Sequence, residues 1–231
     1  MKLLPFIFTV ISVLMPIITQ KTGLSARYGL RIKMLCASLY LTVGILSAVA
    51  FFRVTAYSAM ILVALIFGFL GDFFLSYNNE KYFLYGVMLF AIGHIVYSCV
   101  FLFSGESKAA DYIIAVLIMS TVLYLPVLYL IKVKIDLKKI EAAFLVYASV
   151  LVFSFVCGFL RGILMIKNGN TFQGLCVITG SVLFITSDVI LGLNHGGVKL
   201  PKLFRHAVSY TYFPAQTLFA LSIYFQQDMV L

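Results

Sequence analysis

Two of the eight acidic residues, Asp72 and Asp188, lie inside long apolar runs, while Glu80, Glu106, Asp111, Asp136, Glu141 and Asp228 fall at the ends of such runs or between them. Burying an ionised carboxylate in hydrocarbon costs about 3 kcal/mol on insertion scales, so an acid persists there when it is neutral, paired or functional. The chemistry open to two such groups facing one water-accessible pocket is proton transfer. The alternative is that they only bond neighbouring helices together.

Further polar residues recur at helical spacing. His94 and Tyr97 are three apart and share a helix face, with Gly86, Phe90 and Gly93 nearby, and small residues admit close approach of a second helix. The histidine reads either as a satisfied hydrogen-bonding group or as part of a site. Tyr212 and Gln216 are four apart, and Pro214 between them removes a backbone donor and frees the carbonyl of Tyr210. That stretch reads as a pocket wall or as a kink. His195 and His206 fall between two apolar runs, which argues against a bis-histidine haem within the membrane. Gly158-Phe-Leu-Arg-Gly162 fits GxxxG and signals packing. Cys36, Cys99, Cys157 and Cys176 form no CxxC pair, and the chain lacks HExxH, G-x-S-x-G, P-loop and G-x-G-x-x-G motifs. No metal or cofactor is expected.

The elements that must hold these residues follow from composition. Of 231 residues, 63% are hydrophobic and 11% charged, against roughly a quarter charged in soluble domains. A water-soluble fold is excluded, and 22 Phe and 14 Tyr exclude disorder. Crossing hydrocarbon takes about 20 apolar residues, and eight stretches qualify: 3–19, 34–52, 57–76, 82–103, 111–131, 141–163, 172–193 and 207–225. The first, with Met1-Lys2 ahead of it and Leu24-Ser25-Ala26 behind, also has the layout of a cleaved secretory signal. The expected architecture is all-α, a single transmembrane helical domain over residues 1–231 with about eight spans.

The net charge of +9 is explained by sidedness rather than by nucleic acid. With the N-terminus outside, 12 basic residues, among them Lys21, Arg27, Arg31, Lys33 and Lys81, fall in cytoplasmic connections, and Lys2, Arg53, Lys108, Arg161 and Lys167 fall outside. Both acids then sit about one turn from the cytoplasmic end of their spans. Aligning residues 67–75 with 183–191 superposes Asp72 on Asp188 at an offset of 116, which suggests two parallel four-helix halves.

At these residues the chain resembles the YhhN-type lysoplasmalogenases, which include the eukaryotic transmembrane protein 86 enzymes. The matching segments are Leu70-Gly71-Asp72-Phe73-Phe74-Leu75, Phe90-Ala91-Ile92-Gly93-His94-Ile95-Val96-Tyr97, Gly180-Ser181-Val182-Leu183-Phe184-Ile185-Thr186-Ser187-Asp188 and Tyr212-Phe213-Pro214-Ala215-Gln216. Relatives often have Lys-Pro where this chain has Lys33-Met34. The resemblance implies hydrolysis of the vinyl ether bond of a lysophospholipid, releasing a fatty aldehyde. It implies Asp72 and Asp188 as catalytic groups, and His94, Tyr97, Tyr212 and Gln216 as residues that orient water or hold the substrate. Membrane lipids are the expected surroundings, the bacterial cytoplasmic membrane the expected location. Two competing readings are a transporter relaying protons through the same aspartates and a lipid-binding protein without catalysis.

Overall fold

The computed structural model describes residues 2–50, 54–77, 79–104, 109–134, 141–195 and 201–226. Among them are eight α-helices: α1 (Leu4–Lys21), α2 (Leu24–Val49), α3 (Ala56–Leu75), α4 (Glu80–Phe103), α5 (Ala109–Lys134), α6 (Glu141–Lys167), α7 (Thr171–His195) and α8 (Lys202–Ser222). Each coincides with one expected span. Of the charged residues used above for sidedness and acidity, Arg53, Glu106, Lys108, Asp136, Lys138, Lys139, Lys199 and Asp228 lie outside the described residues.

Local chemistry sets the boundaries that matter for the site. Gly23 (φ 72°) and Gly169 (φ 87°) adopt the left-handed conformation where α1 passes to α2 and α6 to α7, a region that glycine enters without a Cβ penalty. Ser76 Oγ donates to the Asp72 carbonyl at 2.7 Å as α3 ends, and Asn79 Oδ1 accepts from the Lys81 amide at 2.9 Å to cap α4. The largest departure from the sequence reading is α2, which begins ten residues before the expected 34. Hydropathy stops at Arg31 and Lys33, but the helix runs on through both to a kink at Tyr28 (φ −124°, ψ 23°). Lys33 thus belongs to a helix wall rather than to a connection.

Six helices are long and apolar enough to cross a membrane by length and composition, and α5 adds the apolar stretch Tyr112–Leu125. Their outer faces carry exposed Ile7, Val10, Ile45, Met88 and Ile95, a distribution suited to lipid and costly in water. Asp72, His94, Gln173 and Gln216 are buried instead. The less apolar α8 packs against α7, α2, α1 and α3, so protein rather than lipid surrounds it.

Helix pairing closes a ring, α2–α3–α4–α6–α7–α8 and back to α2, with α1 laid against α2 and α8 and α5 against α6. Pairings recur four helices on: α1–α2 with α5–α6, α2–α3 with α6–α7, α3–α4 with α7–α8, and α8–α2 with α4–α6. The halves are thus alike within the ring and differ outside it, where α1 packs on α8 and α5 makes no equivalent packing on α4 among the described residues. Close contacts hold the ring together. A Cβ on Gly93 would meet the Ala64 carbonyl at 3.3 Å, and one on Gly174 would meet the Gly162 carbonyl at 2.5 Å, so the small residues of α4 and of the GxxxG motif mark helix crossings as expected.

Candidate active site

At one end of the ring a cavity of about 640 Å³ opens between the ends of α3 and α7 and the beginnings of α4, α6 and α8. That volume is typical of small-molecule sites. Asp72 and Asp188 both line it, so the structure brings the two acids to one space. Their depths along their helices differ: Asp72 lies three residues before α3 ends at Leu75, and Asp188 lies seven before α7 ends at His195.

The carboxyl of Asp72 is ion-paired through one oxygen, which has no hydrogen bond, and hydrogen-bonded through the other. Its Oδ1 faces Lys33 Nζ at 3.3 Å, while its Oδ2 accepts from the hydroxyls of Tyr212 at 2.8 Å and Tyr40 at 3.4 Å. Behind Tyr212 runs a directed chain, in which Tyr97 donates to Gln216 Oε1 at 2.7 Å and Gln216 Nε2 donates to the Tyr212 hydroxyl at 3.2 Å. With its acceptor position filled by Gln216, the Tyr212 hydroxyl points its proton at Asp72. Two hydroxyl donors and an ammonium around one acid suit an acceptor-only carboxylate, against the cost of its burial.

Asp188 is held differently. Tyr147 donates its hydroxyl to Oδ2, and His94 Nε2 stands 3.5 Å from the same oxygen. The other ring nitrogen, Nδ1, meets Ser154 Oγ at 3.2 Å. A serine donating there leaves the imidazole proton on Nε2, facing the carboxyl. Oδ1 of Asp188 has no hydrogen-bond partner among the described residues. The residue keeps 8% of its surface, against 1% for Asp72.

Of the six residues expected at the site, Asp72, Asp188 and Tyr212 line the cavity, whereas His94, Tyr97 and Gln216 stand behind its wall and support the carboxyls. Lys33, which precedes Met34 where relatives often have proline, lies on the wall against Asp72. Sequence reasoning missed Tyr40 and Tyr147. Both are tyrosines within apolar runs, 32 and 41 residues from their acids, and only the equivalence of α2 with α6 singles them out. The remaining wall is mixed. Phe90, Leu151 and Ile185 make an apolar interior, while Ser76, Glu80 and His195 bring polar groups.

A bundle of eight helices among the described residues, six of them long and apolar enough to cross a membrane, is the architecture of a polytopic membrane protein. The YhhN family model matches residues 32–223, a range that includes all four sequence segments quoted above, and the chain belongs to that family. Among curated relatives, lysoplasmalogenase TMEM86A of Bos taurus is 28% identical over 167 residues, covering 70% of this chain and 64% of the relative. The match therefore spans less than two thirds of that relative's length. No solved structure matches.

Proposed function

We propose that this protein is a membrane hydrolase of lysoplasmalogenase type, cleaving the vinyl ether bond of a lysophospholipid to a fatty aldehyde and a glycerophospho-alcohol. Similarity to a curated lysoplasmalogenase supports the hydrolase class. The observation that carries the mechanism is the unequal holding of two carboxyls on one cavity: Asp72 ion-paired to Lys33 through Oδ1 and bonded by two hydroxyls through Oδ2, and Asp188 with no cation or hydroxyl at Oδ1. The reaction needs one group of each kind.

In the proposed sequence, Asp188 delivers a proton from Oδ1 to the alkenyl carbon beta to the ether oxygen, using the π electrons of the double bond. An ether-oxygen lone pair then forms the carbon–oxygen double bond of an oxocarbenium ion. The fixed carboxylate of Asp72 stabilises that positive charge, a role for a preorganised anion in a low-dielectric site. Water adds to the cationic carbon and loses a proton, restoring Asp188. The resulting hemiacetal collapses to aldehyde and alcohol. General acid catalysis of this kind is typically worth 10²–10⁴-fold. The apolar interior receives the alkenyl chain, and the basic residues at the same end of the bundle draw in the anionic phosphate.

Purified protein in detergent tests this reading. It should convert lysoplasmalogen to free aldehyde with matching loss of the lysolipid and no ion gradient, because the chemistry is completed within one site. Gradient-dependent uptake in proteoliposomes, with no hydrolysis in detergent, would establish the proton-coupled transporter instead.

A further inference from the structure

The two carboxyls occupy corresponding places in the two halves, and their partners come from corresponding helices. Tyr40 of α2 donates to Asp72 of α3, as Tyr147 of α6 donates to Asp188 of α7. Tyr212 of α8 bonds Asp72, and from the helix four earlier His94 of α4 stands at Asp188. Each acid thus accepts from a tyrosine of the preceding helix and faces a ring from the last helix of the opposite half, Tyr212 by a hydrogen bond and His94 Nε2 at 3.5 Å without one. The halves differ in what else is present. Around Asp72 both oxygens are engaged and Tyr40 is fully buried. Around Asp188 both partners converge on Oδ2, and Tyr147 itself lines the cavity.

Resting on the vinyl ether reading above, we propose that Tyr147 is a positioning residue which, together with His94, pins Oδ2 of Asp188 so that the proton resides on Oδ1 and meets the alkene from one face only. The terminal torsion of a carboxyl is broad and two-fold, so an unpinned Asp188 exchanges its oxygens and presents its proton in several directions. A phenol whose ordinary pKa is about 10 is a poor acid toward carbon. The Tyr147 hydroxyl already spends its proton on Oδ2. Its contribution is therefore to hold the acid, with His94, whose ring stands edge-on to Tyr147 at 6.0 Å, as the second jaw.

Deuterium reads this geometry directly. In D₂O the transferred deuteron turns the carbon next to the aldehyde into a stereocentre, and reduction of the aldehyde as it forms preserves it. Wild-type protein should give predominantly one enantiomer. Tyr147→Phe should keep KM within about twofold, lose kcat by roughly tenfold through misorientation, and show eroded enantiomeric purity. His94→Ala should erode it as well, and His94→Gln, which restores an N–H toward Oδ2, should recover it. These two variants carry the test if Tyr147→Phe does not fold. Full kcat with one-faced deuterium in Tyr147→Phe, or in His94→Ala if the phenylalanine variant is lost, overturns the positioning role while leaving the reaction standing. No aldehyde from wild-type protein would overturn the reaction and this role with it.

Discussion

Asp72 and Asp188 are the same residue type at corresponding places, and their neighbours divide the work. Lys33 and two tyrosine hydroxyls surround one, and the other keeps an unclaimed oxygen. Asparagine in place of either is nearly isosteric; Asp188→Asn leaves no buried charge, and Asp72→Asn leaves only Lys33, whose side chain is 29% exposed on the cavity wall, so both should fold. An amide neither protonates carbon nor stabilises a cation as an anion. Each variant should lose turnover by about 10² or more, and the double variant should be little worse than the poorer single, as for groups acting as a unit. Aldehyde release beside a thermal unfolding curve checks this, and near-normal release from both folded variants would make the acids structural. The acids were legible in the sequence because charge in an apolar run is costly and therefore conspicuous. Tyr40 and Tyr147 were not, since a tyrosine in a membrane helix costs little and its partner is set only by packing.

Helix existence was equally legible, because apolar length is what a membrane demands, and every expected span coincides with a helix. Which helices touch was less so. The offset between Asp72 and Asp188 hinted at two halves, but the ring and the exclusion of α1 and α5 from it depend on side-chain fit. The α6–α7 crossing shows how exacting that fit is. A Cβ on Gly162 would lie 2.8 Å from the Gly174 carbonyl, whereas one on Gly29 of α2 would meet nothing within 4 Å. Backbone atoms cannot swing aside as a side-chain tip does. Gly162→Ala should therefore destabilise by about 1–3 kcal/mol, the usual cost of overpacking. Gly29→Ala, within a helix that favours alanine, should be neutral or slightly stabilising. Thermal unfolding of the two in the same detergent compares them, and equal midpoints would mean that the α6–α7 contact is looser than the structure has it.

For the whole molecule, the open question with most consequence is which side of the membrane the cavity faces. Lys33 lines it and Lys81 stands in the first turn of α4, whose beginning forms part of its wall. Both belong to the group of 12 basic residues that the positive-inside rule assigns to the cytoplasm, against five on the other side. The cavity should therefore open inward, so that lysolipid reaches the acids from the cytoplasmic leaflet. Tyr77 at its mouth is 40% exposed and suits a reporter. Cys36, Cys157 and Cys176 are buried, so only the half-buried Cys99 needs replacement by serine first. A membrane-impermeant maleimide should then label Tyr77→Cys in inverted vesicles and leave right-side-out vesicles unlabelled, while a tag on either terminus should be reached from the opposite, outer side. Labelling only in right-side-out vesicles would reverse the orientation, place the acids toward the outer leaflet, and remove the basic cytoplasmic rim from the account of how the phosphate is drawn in.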